Sequence, residues 1–400
     1  MGELPAQGGS REPTMGKSRI DSIRTKNRAI ENFITAVTTR QHFLLLGHVR
    51  PDDDCLASMI SFALLLHMFY KDAQIYSGGR LPDRFRYLLD ICTYNSIRIL
   101  GPDSVAHTPF DTVVVFDTPK PSMIDSPSWL SGILSRPGLL RMEIDHHVGS
   151  DSEYFADEGE SLVTEASSAS ELIGHILLKL KKRTELLERF QITELFPRNL
   201  VLTILTGIIG DSNRGQYLKS AREKRYYQIF SQMFNDLLSR STIKKTNFFT
   251  MDEVYHELQK LSSREEGCFQ FMMSKKRFSA SVGYATLDKE ASAGMLSSFG
   301  VDTVVSSARI VADRLAEESG KVSLVAYYDD PAKGGLIQFR VRRAGTYKKL
   351  DLRTLLDVFS IRDGGGHEGA IGFRVPMDAV KDFGAYVSGL VLKMDEMIGE

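Results

Sequence analysis

The chain has 400 residues, 42% of them hydrophobic, and its 50 basic and 51 acidic residues give a net charge of −1. This length exceeds the roughly 250–300 residues at which one core stops growing, so we expect two domains. The neutral balance excludes the broad positive field of a protein that coats long nucleic acid. Three scattered cysteines without a CxxC pair suit a reducing cytosol. No segment reads as a signal peptide or membrane span, which predicts a cytoplasmic protein without a membrane partner.

The first part of the chain predicts a tail and then a helix. Residues 1–17 are rich in Gly, Pro and Ser and have few bulky apolar side chains, so we expect a disordered tail. Residues 20–39 carry apolar side chains at roughly helical spacing, which predicts an amphipathic entry helix.

A continuous apolar run over residues 42–47 predicts a strand that is covered on both faces, as in a parallel sheet. It ends at His48 and is followed by Asp52, Asp53 and Asp54, before an apolar helix over residues 56–66. An Asp at a helix start can simply cap free amides. Three of them beside a histidine exceed that need, so His48, Asp52 and Asp54 are candidate metal ligands.

Polar residues also end the later apolar runs. Strands are predicted over residues 73–77, 96–100, 111–116 and 139–144, and helices over residues 84–89, 172–180 and 200–210. Asp117 follows the strand predicted over residues 111–116, and Asp145-His146-His147 follow the strand predicted over residues 139–144. Asp211 follows the helix predicted over residues 200–210. Ser168 has the spacing of a helix cap.

These acids and imidazoles are expected to converge on one cleft, because ligands of an open α/β sheet bind beyond the carboxyl ends of its strands. So many carboxylates would repel one another without cations. A set of Asp and His without thiols suits manganese, with magnesium or cobalt as alternatives. The number of ligands fits two ions, and two-metal sites hydrolyse phosphoesters.

A second, smaller α/β domain is expected over residues 267–400, after a catalytic domain over residues 18–240 and a linker over residues 241–266. It contains strands predicted over residues 277–286, 321–328 and 336–342, a glycine cluster, and a terminal helix from about Met377. The cluster consists of Gly364, Gly365 and Gly366, followed by His367. Glycine triplets let a backbone approach a ligand closely.

In combination, these motifs resemble the DHH-superfamily phosphoesterases. The resemblance rests on His48-x-x-x-Asp52-x-Asp54, Asp117, Asp145-His146-His147 and Asp211. The glycine cluster with His367 is similar to the DHH-associated C-terminal domain. The two-domain size resembles the nanoRNase (oligoribonuclease) and pAp-phosphatase type more than the larger RecJ-like exonucleases.

The resemblance implies a role for each residue. The metal ligands would be His48, Asp52 and Asp117 for one ion and Asp54, Asp117, His146 and Asp211 for the other. Asp145 would orient its neighbours, and His147 would contact the scissile phosphate or assist the leaving oxygen. Substrate would be bound by Arg342, Gly364, Gly365, Gly366 and His367.

The chain departs from the family pattern at positions that are not metal ligands. The family often has Gly where Asp53 stands and Ser where Arg343 stands. It also often has Asn in the segment of residues 149–151 and Thr-Gly at residues 212–213.

The implied function is hydrolysis of short oligonucleotides, such as nanoRNA or the dinucleotide pApA, to mononucleotides, with pAp 3′-phosphatase activity in addition. Three alternatives stay open: a RecJ-like single-strand exonuclease, a catalytically inactive nucleotide-binding regulatory module, and a family II inorganic pyrophosphatase. The glycine cluster argues against the last. We expect short oligonucleotides or nucleotides as partners and no long nucleic acid, while the oligomeric state, including a homodimer, is left open.

Overall fold

The computed structural model describes residues 16–79, 81–104, 109–149, 152–212, 218, 220–239, 248, 250–258, 260–330, 335–361 and 363–399. Predictions for residues 1–15, 150–151, 213 and 240–247 lie outside the described residues, as does the side chain of His367. The chain divides into two compact units, Met1–Leu258 and Gln259–Glu400. Each unit contains a six-stranded sheet with helices, so the predicted α/β fold class is confirmed. In the described part of the chain, no helix is both long and apolar enough to cross a membrane.

The first unit contains a parallel sheet and a set of helices. Its strands are β1 (His42–Leu46), β2 (Asp72–Tyr76), β3 (Arg98–Leu100), β4 (Thr112–Phe116), β5 (Leu140–Asp145) and β6 (Ser161–Val163). Its helices are α1 (Ile23–Thr39), α2 (Asp53–Met68), α3 (Arg86–Tyr94), α4 (Ser128–Leu134), α5 (Ala169–Leu180), α6 (Thr184–Arg189), α7 (Arg198–Ser212), α8 (Ala221–Ser239) and α9 (Met251–Leu258).

The strand order β3-β2-β1-β4-β5-β6 places β1 and β4 side by side at the centre of this sheet. The chain moves outward from β1 to β3 and then restarts at β4 on the other side of β1. All five strand pairs are parallel. The order therefore reverses between β1 and β4, and a crevice opens outside the carboxyl ends of strands at such a switch point.

Helices cover both faces of this sheet, which explains the continuous apolar character of β1. Phe43 and Leu45 belong to the large core that includes residues of α1, α2, α5 and α7. Leu44 and Leu46 belong to a smaller core that includes residues of α4. Successive side chains of a strand point to opposite faces, so a strand covered on both sides needs apolar residues at every position.

The second unit is built around a mixed sheet. Its strands are β7 (Lys276–Phe278), β8 (Val282–Thr286), β9 (Val322–Tyr328), β10 (Leu336–Arg343), β11 (Gly364–His367) and β12 (Ala370–Pro376), and its helices are α10 (Ser263–Met273), α11 (Lys289–Phe299), α12 (Val301–Ser319), α13 (Arg353–Val358) and α14 (Phe383–Gly399). The order is β11-β12-β10-β9-β8-β7, with only the β8–β9 pair parallel. One core lies on the side of α14 and another on the side of α10, α11 and α12.

Several elements of the second unit differ from the sequence predictions. The strand predicted over residues 277–286 is the hairpin of β7 and β8, because Ser279 accepts a hydrogen bond from the amide of Val282 and closes a turn. The terminal helix begins at Phe383 rather than Met377, and Asp382 accepts a hydrogen bond from the amide of Ala385 in its first turn. The glycine cluster forms the edge strand β11.

The boundary between the units falls inside the linker predicted over residues 241–266. This stretch contributes to packing, because Val254 and Leu258 of α9 belong to the core of the first unit. On the other side of the boundary, α10 begins with a capping box in which Ser262 and Glu265 satisfy each other's backbone amides.

Candidate metal centre

Three of the predicted site segments follow directly on β1, β4 and β5, which are neighbours in the sheet. His48 lies two residues beyond β1, Asp117 is the first residue after β4, and Asp145 is the last residue of β5. Because the strands are parallel, their carboxyl ends meet at the same edge of the sheet. The candidate site therefore lies at the switch point of the first unit.

Asp52 is the helix cap of α2 and also faces the site. One of its oxygens accepts a hydrogen bond from the amide of Cys55 at 3.3 Å. The same oxygen lies 3.7 Å from Nε2 of His48, and that nitrogen lies 4.0 Å from Oδ2 of Asp117. Asp52 therefore does cap α2, and the same carboxylate also lies beside the imidazole of His48.

Asp54 is fully buried and held by the amino-terminal end of α5. Its Oδ2 accepts a hydrogen bond from the amide of Ala169 at 2.6 Å, and its Oδ1 accepts one from the amide of Ser170 at 3.0 Å. The positive end of a helix dipole favours a negative group at this position. Gly207 of α7 leaves room for the carboxylate, because a Cβ there would overlap Asp54 Oδ1 and Ser170 Oγ.

Asp117 is the hub of the cluster and has an unusual backbone. Its side chain is buried, and Oδ1 lies 3.2 Å from Nε2 of His146 and 3.4 Å from Nδ1 of His147. Its φ is 47°, in the left-handed region that few residues other than glycine, asparagine and aspartate adopt. Backbone strain of this kind is concentrated at functional sites.

His146 is oriented by a backbone carbonyl. Its Nδ1 lies 3.3 Å from the carbonyl oxygen of Ala166, which can only accept, so Nδ1 carries the proton. Nε2 then turns toward Asp117 Oδ1 and Asp211 Oδ2, each 3.2 Å away. Asp211 lies in the last turn of α7, where a negative charge opposes the helix dipole, so helix stability does not explain it.

Asp145 fixes the second histidine of the pair. Its Oδ1 accepts hydrogen bonds from the backbone amide of His147 at 3.0 Å and from Nδ1 of His147 at 2.8 Å. Its Oδ2 lies 2.7 Å from Nζ of Lys17, a residue that the sequence places in the predicted disordered tail. Lys17 is only 2% exposed, so the expected tail does not extend to this residue.

Burial dominates the electrostatics of the cluster. It raises the pKa of Asp54 to about 7, with a further contribution from the charge of Asp211. It also raises the pKa of Asp117 well above the ordinary value, and the charge of Asp54 adds to that shift. Burial alone would lower the pKa of His146, but the carboxylates of Asp117 and Asp211 outweigh it and raise that pKa. Without a cation, the cluster therefore retains protons.

Asp145 shows the opposite behaviour. Burial by itself would raise its pKa, but the charge and hydrogen bond of His147 and the ammonium of Lys17 outweigh burial and hold the pKa below the ordinary value. Asp145 is therefore an ionised acceptor near neutral pH, and Nδ1 of His147 must carry the proton of their hydrogen bond.

The donor atoms fit a divalent metal ion. Within the described residues, the buried atoms Asp117 Oδ1 and His146 Nε2 have no hydrogen-bond partner, although buried polar atoms normally do. Three overlapping groups each bring their donor atoms within 4.8 Å: His48, Cys55 and Asp117; Asp117, His146 and His147; and Asp54, His146 and Asp211. Metal ions satisfy buried carboxylates and imidazoles of this kind.

Cys55 is an unexpected neighbour, since the sequence predicts a thiol-free set. Burial raises its pKa well above the ordinary value, and its Sγ donates a hydrogen bond to the carbonyl of Phe116 at 3.8 Å. Metal ligation requires a thiolate. In the metal-free protein the thiol therefore stays protonated and donates to this carbonyl, while its sulfur lies within reach of the donor atoms of His48 and Asp117.

The predicted substrate residues all lie in the second unit. Arg342 on β10 has its Nε 3.1 Å from Oδ1 of Asp313. In the sheet register, Ala370 of β12 is paired with Arg342 on one side and with His367 on the other, so these two positions flank one residue. Gly366 has a φ of 143°, and a Cβ there would overlap the carbonyl of Ala370, so only glycine fits.

Two of the departures from the family pattern, Asp53 and Arg343, have defined side-chain partners. Asp53 is 3.4 Å from Nε of Arg84. Arg343 is buried, and its guanidinium donates to the carbonyl of Leu350 and to Glu368. Both residues make contacts within their own unit.

Sequence reasoning missed three groups that shape this site: Lys17 and the amides of Ala169 and Ser170. The amides carry no side-chain signal. A helix predicted only from residue 172 also starts too late, since α5 begins at Ala169 with Ser168 as its cap. The predicted cap at Ser168 could have indicated these amides, because the backbone amides in the first turn of a helix follow directly after its cap residue.

Comparison with known proteins identifies the first unit. Residues 42–208 match the family model described as the DHH family, N-terminal domain. The Bifunctional oligoribonuclease and PAP phosphatase NrnA of Bacillus subtilis (strain 168) is 27% identical over 234 residues, which cover 55% of this chain and 65% of that protein. The match thus spans slightly less than two thirds of that relative.

A solved structure shows the same fold over nearly the whole chain. An exopolyphosphatase-related protein from Bacteroides fragilis aligns with a TM-score of 0.65 at 17% identity, covering 94% of this chain and 98% of that chain. At this identity, the likeness shows the shared fold alone. Residues 42–208 therefore contain a domain of the DHH family, and the rest of the chain is characterised only by its similarity to this relative and this structure.

Proposed function

We propose that this protein is a metal-dependent phosphodiesterase that hydrolyses short oligonucleotides to mononucleotides and also removes the 3′-phosphate of pAp. The observation that carries the proposal is the pair of buried donor atoms, Asp117 Oδ1 and His146 Nε2, which face each other at 3.2 Å in the middle of the Asp and His cluster. The choice of substrates is supported by the similarity to an oligoribonuclease and PAP phosphatase.

Two divalent ions, preferably manganese, match the charge and the donors of the site. His48, Asp52 and Asp117 would hold one ion, and Asp54, Asp117, His146 and Asp211 would hold the other. The four carboxylates in these sets balance the four positive charges of two divalent ions. Oxygen and imidazole donors suit manganese, with magnesium or cobalt as alternatives. When bound, such ions lower the pKa of water and neutralise charge on phosphoryl oxygens.

His147 is proposed to act on the substrate itself. Asp145 holds its Nδ1–H, which leaves Nε2 as the atom that can exchange a proton. The side chain is 29% exposed, so it can be reached from solvent. At Nε2, His147 would contact the scissile phosphate or assist the leaving oxygen.

Arg342 and the glycine strand are proposed to bind the nucleotide end of the substrate. A guanidinium recognises phosphate through charge-assisted hydrogen bonds. Its present partner Asp313 is about half exposed, so a phosphate can compete for the same group. The backbone of Gly364, Gly365 and Gly366, with His367, would lie against the nucleotide.

The proposal is tested by a set of substrates at equal concentration of ends. Dinucleotide pApA, a pentamer, a long single strand and pAp are each assayed with manganese, magnesium, cobalt and EDTA. We expect mononucleotides from the short substrates with manganese and no turnover with EDTA. Multiple phosphate contacts steepen salt dependence. Faster and strongly salt-sensitive digestion of the long strand would favour a RecJ-like exonuclease instead.

Two further results of these assays would point to a narrower activity or to none. Turnover of pAp alone would restrict the activity to a phosphatase. Binding of nucleotides without turnover of any substrate, under every metal, would favour an inactive regulatory module and overturn the proposal.

A further inference from the structure

A short segment before α1 is fastened to the loop that follows the Asp-His-His motif. Residues 16–20, here called the N-terminal strap, lie against this loop and the edge strand β6. The amide of Lys17 donates to Ser152 Oγ at 3.0 Å, and its carbonyl accepts from the amide of Gly149 at 2.9 Å. The amide of Ile20 donates to the carbonyl of Val163 at 3.3 Å. The backbone of the strap is thus held at both ends.

The side chain of Lys17 extends from the strap into the interior, where it is 1% exposed. Its ammonium meets three oxygens: Asp145 Oδ2 at 2.7 Å, the carbonyl of Thr118 at 2.8 Å and Glu143 Oε2 at 3.3 Å. An ammonium has three N–H groups to donate. The buried charge is therefore paired and surrounded by acceptors, as a buried ion requires.

These contacts lead directly to the candidate metal centre. The other oxygen of Asp145 holds His147 by two hydrogen bonds. Thr118 is the residue after Asp117, whose left-handed backbone places the central carboxylate of the cluster. One ammonium thus connects the ends of β4 and β5, the strands from which Asp117 and the two histidines emerge.

A purely structural role would be to neutralise the two buried carboxylates, Glu143 and Asp145. The distances distinguish the two carboxylates: the ammonium lies 2.7 Å from Asp145 Oδ2 and 3.3 Å from Glu143 Oε2, so it is 0.6 Å closer to Asp145. Glu143 Oε2 also has a second donor, the amide of Phe155 at 3.0 Å. Within the described residues, Lys17 is the only residue that donates a hydrogen bond to Asp145 Oδ2.

We propose that Lys17 is a positioning residue of the phosphoesterase site: it fixes Asp145 and the Thr118 carbonyl, and through them His147 and Asp117. Only the kinetic consequence of this inference, a lower kcat when Lys17 is replaced, rests on the proposed function. The geometric consequence, the fixed orientation of His147, holds whether or not the protein turns over a nucleotide.

The first test is Lys17→Met in the full-length protein, which keeps most of the apolar stem and removes the charge. We expect kcat to fall about 10–100-fold, the usual effect of losing a residue that orients a metal ligand or its neighbour. KM should not change, because Arg342 and the glycine strand are untouched. Arg19→Met is the matched control in the same strap: Arg19 pairs at the surface with Asp21 and Glu165, and kcat should stay at the wild-type value.

A double variant, Lys17→Met with Glu143→Gln, distinguishes a loss of kcat caused by misfolding from one caused by the loss of the contact to Asp145. It removes one buried charge of each sign, so Tm should recover relative to Lys17→Met. The kcat should stay low, because Asp145 still lacks its partner. Glu143→Gln alone should keep the wild-type kcat. Recovery of kcat in the double variant would show that Lys17 only balances charge, and it would overturn the proposal.

A spectroscopic readout separates this inference from the proposed function. In protein labelled with ¹⁵N-histidine, the Nδ1–H signal of His147 is identified by its loss in His147→Asn. We expect this signal in the metal-free wild type and in metal-free Arg19→Met, and its loss in both Lys17 variants. If wild-type protein hydrolyses no phosphoester but shows this pattern, the proposed function fails and the role of Lys17 stands. A preserved signal with wild-type kcat in Lys17→Met overturns the role of Lys17.

Discussion

Oδ1 of Asp117 lies 3.2 Å from Nε2 of His146, and neither atom has a hydrogen-bond partner among the described residues. Asp117 also belongs to two of the three groups that can hold an ion, and His146 belongs to two of them. A change at Asp117 should therefore disturb the whole centre rather than one edge of it.

Asp117→Asn should abolish turnover, with a loss greater than about 100-fold, since even residues that only orient ligands cost 10–100-fold. Asn tolerates the left-handed backbone at this position, so the fold should be retained. Asp54→Asn should act in the same direction but less strongly, because Asp54 would serve one ion. Activity on pApA and metal content of the purified variants provide the measurement.

The control for these variants is Asp90→Asn, which changes an exposed carboxylate that pairs with Arg86 on α3. It should keep wild-type activity. Near-normal hydrolysis by Asp117→Asn with unchanged metal content would contradict the two-metal assignment.

Metal binding should stabilise the protein more at alkaline than at acidic pH. Burial raises the pKa of Asp54 from 3.8 to about 7, so the metal-free fold binds a proton that the unfolded chain has already lost. This contribution to stability is present at low pH and is lost as pH rises through about 7. A metal ion binds only the deprotonated carboxylate of Asp54. Metal binding should therefore raise the free energy of unfolding mainly above that pH.

The measurement is Tm with and without manganese at about pH 8 and about pH 5.5, since ligation releases protons. An ion at about 100 times its Kd adds about 2.7 kcal/mol to the free energy of unfolding. We expect the rise in Tm at the higher pH to exceed that at the lower pH, and the difference to shrink in Asp54→Asn. An equal rise in Tm with manganese at both pH values would contradict the assignment of Asp54 as a ligand.

Arg342→Ala and His367→Ala should separate substrate binding from metal binding. Charge-assisted hydrogen bonds to phosphate are strong, so KM should rise in each variant while metal content stays unchanged. Arg314→Ala is a suitable control, because Arg314 is an exposed residue of the same unit that pairs with Glu318. If either variant lost its metal, the division of roles between the two units would be wrong.

Gly207→Ala tests the space around Asp54 without touching a ligand. The new Cβ would overlap Asp54 Oδ1 and Ser170 Oγ, so the carboxylate must move. We expect about a 10–100-fold loss in manganese affinity, as for other residues that orient a ligand. Gly132→Ala in α4 meets open space and should be neutral or stabilise by up to about 1 kcal/mol. Isothermal titration of both variants with manganese decides between these outcomes.

The sequence predicts five of the six strands of the first unit, β1 to β5, because each of them lies in a short apolar run; the three-residue strand β6 is not predicted. His48, Asp117 and His146 could be brought together in advance, since parallel strands in one sheet direct their ends to one edge. The structure places all six predicted metal ligands around this edge. Their role as ligands stays a prediction.

Groups from distant segments could not be predicted. Lys17 lies in a stretch of Gly and Ser without periodicity, and its partner Asp145 is 128 residues away. The amide of Ala169 meets Asp54 across 115 residues. Such contacts arise from tertiary packing and leave no local pattern. The glycine strand β11 has low intrinsic strand propensity, and its pairing with β12 overrides that propensity.

The backbone of Asp117 also limits how this chain can drift in evolution. At a φ of 47°, most substitutions would add conformational strain, and only Asp, Asn and Gly fit with little cost. A related chain that loses this carboxylate but keeps the fold should therefore carry Asn or Gly at this position. Either residue here thus marks a relative whose cluster lacks its central carboxylate.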